Sequence, residues 1–104
     1  NVSHYLQNNM TNVLLKNIYR ANSFEESSSH DYVDVIEASL LKSFTELEEG
    51  YIEKIRSAYE LGFGEVARVG SCALVAVVQE NDLVVANSGD CIAVLGQISS
   101  SPAP

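Results

Sequence analysis

Positive charge is scarce in this sequence. Its 104 residues carry 6 Lys and Arg against 14 Asp and Glu, a net charge of −8. Phosphate backbones and anionic membrane surfaces are bound by clustered Lys and Arg, so neither nucleic acid nor membrane is expected as a partner. Cysteine is scarce as well. Cys72 and Cys91 are too few for a disulfide scaffold and lack the C-x-x-C spacing of a metal site. Both stand in apolar surroundings, which points to buried free thiols in a reducing compartment. A cross-strand disulfide between them is the alternative, although a bridge between adjacent strands strains the preferred geometry. No apolar run approaches the ~18 residues of a membrane span, and no internal repeat is visible. At 46% apolar residues the composition is nevertheless that of a folded protein rather than an acidic disordered tail.

Two helical periods fill the first sixty positions. Val2, Tyr5, Leu6, Met10, Val13, Leu14, Leu15, Ile18 and Tyr19 recur at steps of three and four, which predicts an amphipathic helix over about 2–20. The polar stretch 21–30 then reads as an exposed loop. Val33, Ile36, Leu40, Phe44, Leu47, Tyr51 and Ile55 form a second stripe, so a second helix is expected over 31–60, capped by Ser29 or Asp31. Glu37, Lys42, Glu46, Glu49 and Glu53 fall on its solvated side. Gly50 interrupts the stripe at a cost of about 1 kcal/mol relative to Ala, so a bend or break is expected there. Gly62-Phe63-Gly64 ends the helix.

The period changes after Gly70. Cys72 to Val78 and Leu83 to Asn87 are short β-branched runs around the turn candidate Gln79-Glu80-Asn81-Asp82, and Ile92 to Leu95 reads as more strand. A hairpin over about 70–96 is expected, with a loose Ser- and Pro-rich tail over 97–104. Alternate residues of a strand face opposite sides. Cys72, Leu74, Ala76 and Val78 make one face and Ala73, Val75 and Val77 the other, and both are apolar. An antiparallel pair with one wet face alternates with polar residues instead. Two helices cover one face only, so a further β-layer is required, and a bare apolar hairpin is an aggregation hazard. The expected fold is α+β, part of a larger sandwich. Asn1-Val2-Ser3, already in helical pattern, fits a cut within a longer chain.

Residues 70–95, from Gly70-Ser71-Cys72-Ala73 through Leu83-Val84-Val85-Ala86-Asn87-Ser88-Gly89-Asp90-Cys91-Ile92-Ala93-Val94-Leu95, resemble the metal-dependent protein Ser/Thr phosphatases of the 2C type. That family has a Gly-Ser-Thr-Ala strand, a turn, and a Leu-Tyr-Val-Ala-Asn-x-Gly-Asp-Ser-Arg-Ala-Val-Leu strand, preceded by two amphipathic helices. Val2 to Ile18 resembles the helix that follows the family's Asp-Gly-His-Gly-Gly metal motif. The stretch ahead of Gly70 is similar to the pyruvate dehydrogenase phosphatase branch. The resemblance implies an αββα sandwich, of which residues 1–104 are one part of a domain of about 250 residues. It implies a pair of Mg²⁺ or Mn²⁺ ions, with a third in a weaker site, that activate a water to hydrolyse phosphoserine or phosphothreonine on a protein substrate.

Most of that site falls outside this sequence, so the catalytic residues are unknown. Asp90 alone matches a functional position, the aspartate that contributes to the third metal site. Cys91 and Ile92 replace the Ser and Arg that follow it. The plain alternative for Asp90 is a strand-end turn residue that caps local amides. His4 and His30 have no ligand partner at metal spacing, the sequons at Asn1 and Asn9 read as chance matches, and Glu46, Glu48 and Glu49 read as a solvated helix face rather than a metal cluster. Three functions remain in view: part of a phosphatase, a pseudophosphatase scaffold or binding module of the same fold, and an unrelated acidic α+β interaction domain. The phosphatase reading expects the rest of the domain as a partner. It also expects an intracellular, cytoplasmic setting, or a mitochondrial one through the pyruvate dehydrogenase phosphatase likeness, and an inactive, aggregation-prone segment when it is made alone.

Overall fold

A computed structural model describes residues 1–24 and 32–99. Helix α1 spans Val2–Phe24 and helix α2 spans Tyr32–Glu60. A 3-10 turn at Gly64–Ala67 leads to strands β1 (Ala73–Gln79) and β2 (Asp82–Ser88). The expected α+β order, two helices and then an antiparallel hairpin, is what forms. Helix α1 runs four residues past its expected end, into the stretch read as loop. The proposed capping residues of α2, Ser29 and Asp31, and the side chain of His30 lie outside the described residues.

Each boundary has a local cause. The Asn1 side-chain carbonyl accepts from the His4 backbone N–H at 3.2 Å, which caps the start of α1. Asn1 therefore serves the helix, and His4 is an exposed residue of its first turn. At the far end of α2, Phe63 N–H donates to Ala58 O (3.1 Å) and Gly62 N–H to Tyr59 O (3.0 Å). With Gly62 at φ 100° this is the paired 6→1 and 5→2 closure of a Schellman cap, which needs a residue tolerant of positive φ.

Helix α2 passes Gly50 without the expected break. The Tyr5 hydroxyl packs where a side chain at position 50 would stand. Tyr5 also meets Tyr51 edge to face at 5.4 Å, and the Lys54 ammonium lies 5.6 Å from its ring centre. The missing side chain thus lets one aromatic lock α1 onto α2.

The hairpin turn is two residues, Glu80-Asn81, between the paired Gln79 and Asp82. Glu80 takes φ 54°, as the first central position of a II′ hairpin turn demands. In the register Val75↔Ala86 and Val77↔Val84, one face of the sheet meets the helices. Val84 joins Leu14, Ile36 and Leu40 in the core, with Ile18, Val33, Val75, Val77 and Ala86 packed around them. The α2 stripe is accordingly buried or half-buried from Val33 to Ile55, whereas Leu15 and Tyr19 fall off the α1 stripe and are exposed.

The opposite face is open. Leu74↔Asn87, Ala76↔Val85 and Val78↔Leu83 present their side chains outward, and all six residues are exposed. Ile92 to Leu95 do not continue the strand as expected: residues 89–99 have no regular structure. Gly89 at φ 111° turns the chain out of the ladder, and an extended segment without a neighbour to pair with has no hydrogen-bonded reason to stay a strand. Ala93, Val94 and Leu95 instead lie beside Leu74, Ala76, Leu83 and Val85, around a shallow trough on the open face. Among the described residues, no helix is long and apolar enough to cross a membrane.

Candidate functional site

The candidate residue from the sequence, Asp90, lies in the loop that leaves β2. The loop is built by its neighbours. The Asn87 side-chain amide donates to the carbonyls of Gly89 (3.3 Å) and Cys91 (2.6 Å), which curls residues 87–91 into a compact reversal. Gly89 is required twice over. Its φ is 111°, and a Cβ there would stand 2.5 Å from the Cys72 sulfur and 2.9 Å from the Cys72 Cβ. Asp90 follows directly and is exposed.

Asn87 and Gly89 belonged to the motif quoted from the sequence, but their work as loop builders was missed. The available signal was an Asn two residues ahead of a Gly at a strand end. The cysteines also differ from expectation. Both are free, yet Cys72 is exposed and Cys91 only half-buried. Neither is the packed core thiol that the apolar surroundings suggested, because the face they border is the uncovered one.

A metal centre needs converging donors, and Asp90 supplies a single carboxylate. Among the described residues, no three of His, Cys, Asp and Glu gather into a group that would hold an ion. The described residues therefore do not fit a complete metal centre, and Asp90 fits at most one position of one. Glu46, Glu48 and Glu49 form no such group. Glu48 and Glu49 are exposed as expected, whereas Glu46 bridges the helices. It lies 3.8 Å from the Lys16 ammonium and 3.9 Å from that of Lys42, and it accepts from the Asn17 amide at 3.3 Å. Asn17 also donates to Ser43 Oγ at 2.9 Å, and Ser43 Oγ donates to Ser39 O at 2.6 Å. Asn17, Ser39 and Ser43 are buried. This polar seam aligns α1 with α2.

A concavity of about 870 Å³ lies between the start of α1, the second half of α2 and the approach to β1. Val2, Tyr5, Leu6, Phe44, Tyr51 and Val69 line it, and Asp90 does not. Glu48, Arg56 and Glu60 also border it, but among the described residues no group of His, Cys, Asp and Glu gathers there to hold an ion, so the loop motif outweighs the cavity as the functional candidate.

The fold is thus a two-helix layer on an antiparallel hairpin, an α+β segment with an Ala-Asn-x-Gly-Asp loop at the strand end. The family profile for Protein phosphatase 2C matches residues 1–101, and the chain belongs to that family. It is 42% identical over 57 residues to "Probable protein phosphatase 2C 64" of Arabidopsis thaliana, covering 55% of this chain and 14% of that protein. It is 39% identical over 67 residues to "Probable protein phosphatase 2C 68" of the same plant, covering 64% and 17%. It is 36% identical over 84 residues to "Probable protein phosphatase 2C 36" of Oryza sativa subsp. japonica, covering 81% and 20%. The matched region is thus a seventh to a fifth of each relative's length. No solved structure matches. The family assignment overturns the reading as an unrelated interaction domain.

Proposed function

We propose that this chain forms the helix-and-hairpin layer of a metal-dependent protein Ser/Thr phosphatase. The observation that carries the reading is the family match over residues 1–101, together with the Ala86-Asn87-Ser88-Gly89-Asp90 loop in a built conformation. The complete protein hydrolyses phosphoserine and phosphothreonine on protein substrates. When bound, its two or three Mg²⁺ or Mn²⁺ ions supply an activated water and neutralise phosphate charge. Within this chain, Asp90 would offer one carboxylate to the third, weaker metal site, while Asn87 holds the loop that presents it and Gly89 permits the turn.

Residues 1–104 are part of one domain. The open face of Leu74, Ala76, Val78, Leu83 and Val85 is covered by a second sheet in an αββα sandwich. The apolar character of both hairpin faces supports this, since an uncovered apolar β-surface is an association hazard. Free thiols suit a reducing intracellular compartment.

The test is Mg²⁺- or Mn²⁺-dependent hydrolysis of a phosphopeptide by the full-length protein, insensitive to okadaic-acid-type inhibitors. Asp90→Asn should raise the half-saturating metal concentration by about tenfold, the change expected when a supporting group at a metal site is lost, while the wild-type fold is kept. Unchanged metal dependence in Asp90→Asn would remove Asp90 from the site. A second reading rests on Cys91 and Ile92, which stand where the family motif has Ser and Arg. It makes the protein a pseudophosphatase scaffold, and a folded full-length protein without metal-dependent turnover selects it.

A further inference from the structure

We propose that Cys72 is a positioning residue: its side chain is the wall against which Gly89 turns, and it thereby sets the direction in which Asp90 leaves the hairpin. This rests on the reading of Asp90 given above and adds a residue that acts through it.

The ladder closes on the pair Ala73↔Ser88. Cys72 and Gly89 are the next residues outward, at the mouth where the two chains part. Gly89 takes φ 111° there, so the reversal begins directly beside Cys72. The approach is close along the Cys72 side chain and reaches its backbone. A Cβ built on Gly89 would stand 2.5 Å from the Cys72 Sγ, 2.9 Å from its Cβ and 3.3 Å from its Cα. Carbon atoms at rest lie about 3.5–4.0 Å apart, so only a residue without a side chain can turn against this wall.

The Asp90 loop is then held by two different devices. The Asn87 side-chain amide donates to the carbonyls of Gly89 (3.3 Å) and Cys91 (2.6 Å). Both partners lie on the chain that leaves β2, so these bonds fix the curl of the loop. Cys72 comes from the other strand, and its contact fixes how the curl sits against the start of β1. The Ser71 hydroxyl donates to the Cys72 carbonyl at 3.0 Å, which engages the backbone of the wall itself. The contact is one of packing and needs no access from solvent, so a second sheet over the open face does not compete with it. Removing the sulfur opens space beside Gly89, a residue with wide backbone freedom, and Asp90 follows Gly89 directly. A Ser at position 72 keeps an atom at the γ position and therefore keeps the wall.

Amide hydrogen exchange of the full-length protein, read without metal or phosphosubstrate, compares wild type with Cys72→Ala and Cys72→Ser. The expected result is exchange over 88–91 about threefold faster in Cys72→Ala, the scale of losing one methylene-sized contact. Cys72→Ser should keep the wild-type rate, and β1 and β2 should exchange unchanged in both variants. Unchanged exchange over 88–91 in Cys72→Ala overturns the proposal. Acceleration spread equally over β1 and β2 also overturns it, because that is lost stability rather than lost positioning. A Cys72→Ser that exchanges as fast as Cys72→Ala overturns it too. The readout needs no turnover, whereas Asp90→Asn tests the reading of Asp90 through metal dependence, so the two fail separately.

Discussion

The two faces of the hairpin are made from the same few residue types and meet opposite fates. Val84 is 8% exposed, and the next residue, Val85, is 40% exposed. Composition does not separate them. What separates them is the pleat, which sends neighbours to opposite sides, and the helical layer, which waits on one side only. On the covered face, Val75, Val77, Val84 and Ala86 meet Leu14, Ile36 and Leu40. On the other, Leu74, Val78 and Leu83 meet nothing comparable, and Val78 is 72% exposed. The lesson is that an apolar surface states a demand for a neighbour without naming it.

The largest effect that sharpens this contrast belongs to the helix that supplies the cover. Leu40 is 2% exposed and its neighbour Leu41 is 73% exposed. Leu40→Ala should destabilise the full-length protein by about 2–5 kcal/mol, as truncation of a buried Leu commonly does, while Leu41→Ala should stay within about 0.5 kcal/mol. Denaturant unfolding of the two variants checks the pair. Equal costs would mean that α2 is covered on both sides.

Val84 and Val85 give the next effect. Val84→Ala removes two buried methyl groups and should cost about 2 kcal/mol, at about 0.8 kcal/mol per buried carbon plus a cavity term. If a second sheet covers the open face in the full-length protein, Val85→Ala should cost nearly as much there. A Val85→Ala cost below about 0.5 kcal/mol would leave that face in solvent and remove the sandwich proposal.

How much of this was legible in the sequence follows from which contacts are local. The α2 stripe from Val33 to Ile55 was readable because a helix buries one side at a fixed step, and the end at Gly62 because its φ requirement is written in a single residue. The two apolar faces of the hairpin were readable from alternation alone. Ile92 to Leu95 were misread because strand propensity is spent only when a partner strand is present, and Gly89 turns the chain away first. Glu46 looked like a solvated residue because its partners, Lys16 and Asn17, sit on another helix about thirty positions earlier. Asn17 and Ser43 were invisible for the same reason: no pattern in either helix announces that two polar residues will meet in the interface. Asp90 was legible only through its motif, since a carboxylate after a Gly is by itself an ordinary turn.

The smallest expected effect on stability comes from Val78, and it separates the demand of the open face from the stability of the fold. In residues 1–104 alone, Val78→Lys places a charge where the side chain is already mostly in solvent, so the helix-covered core is untouched and the change should stay within about 0.5 kcal/mol. Association is another matter. Leu74, Val78, Leu83 and Val85 form a continuous apolar patch on a two-stranded sheet, the kind of surface on which copies pair and stack. A charge on that patch has to be desolvated before a second copy can cover it, and like charges then face each other across the contact. Sedimentation of wild type and Val78→Lys at matched concentration should therefore show less self-association in the variant. Equal association would mean that the open face is not what draws the copies together, and the contrast between the two faces would then lie only in exposure.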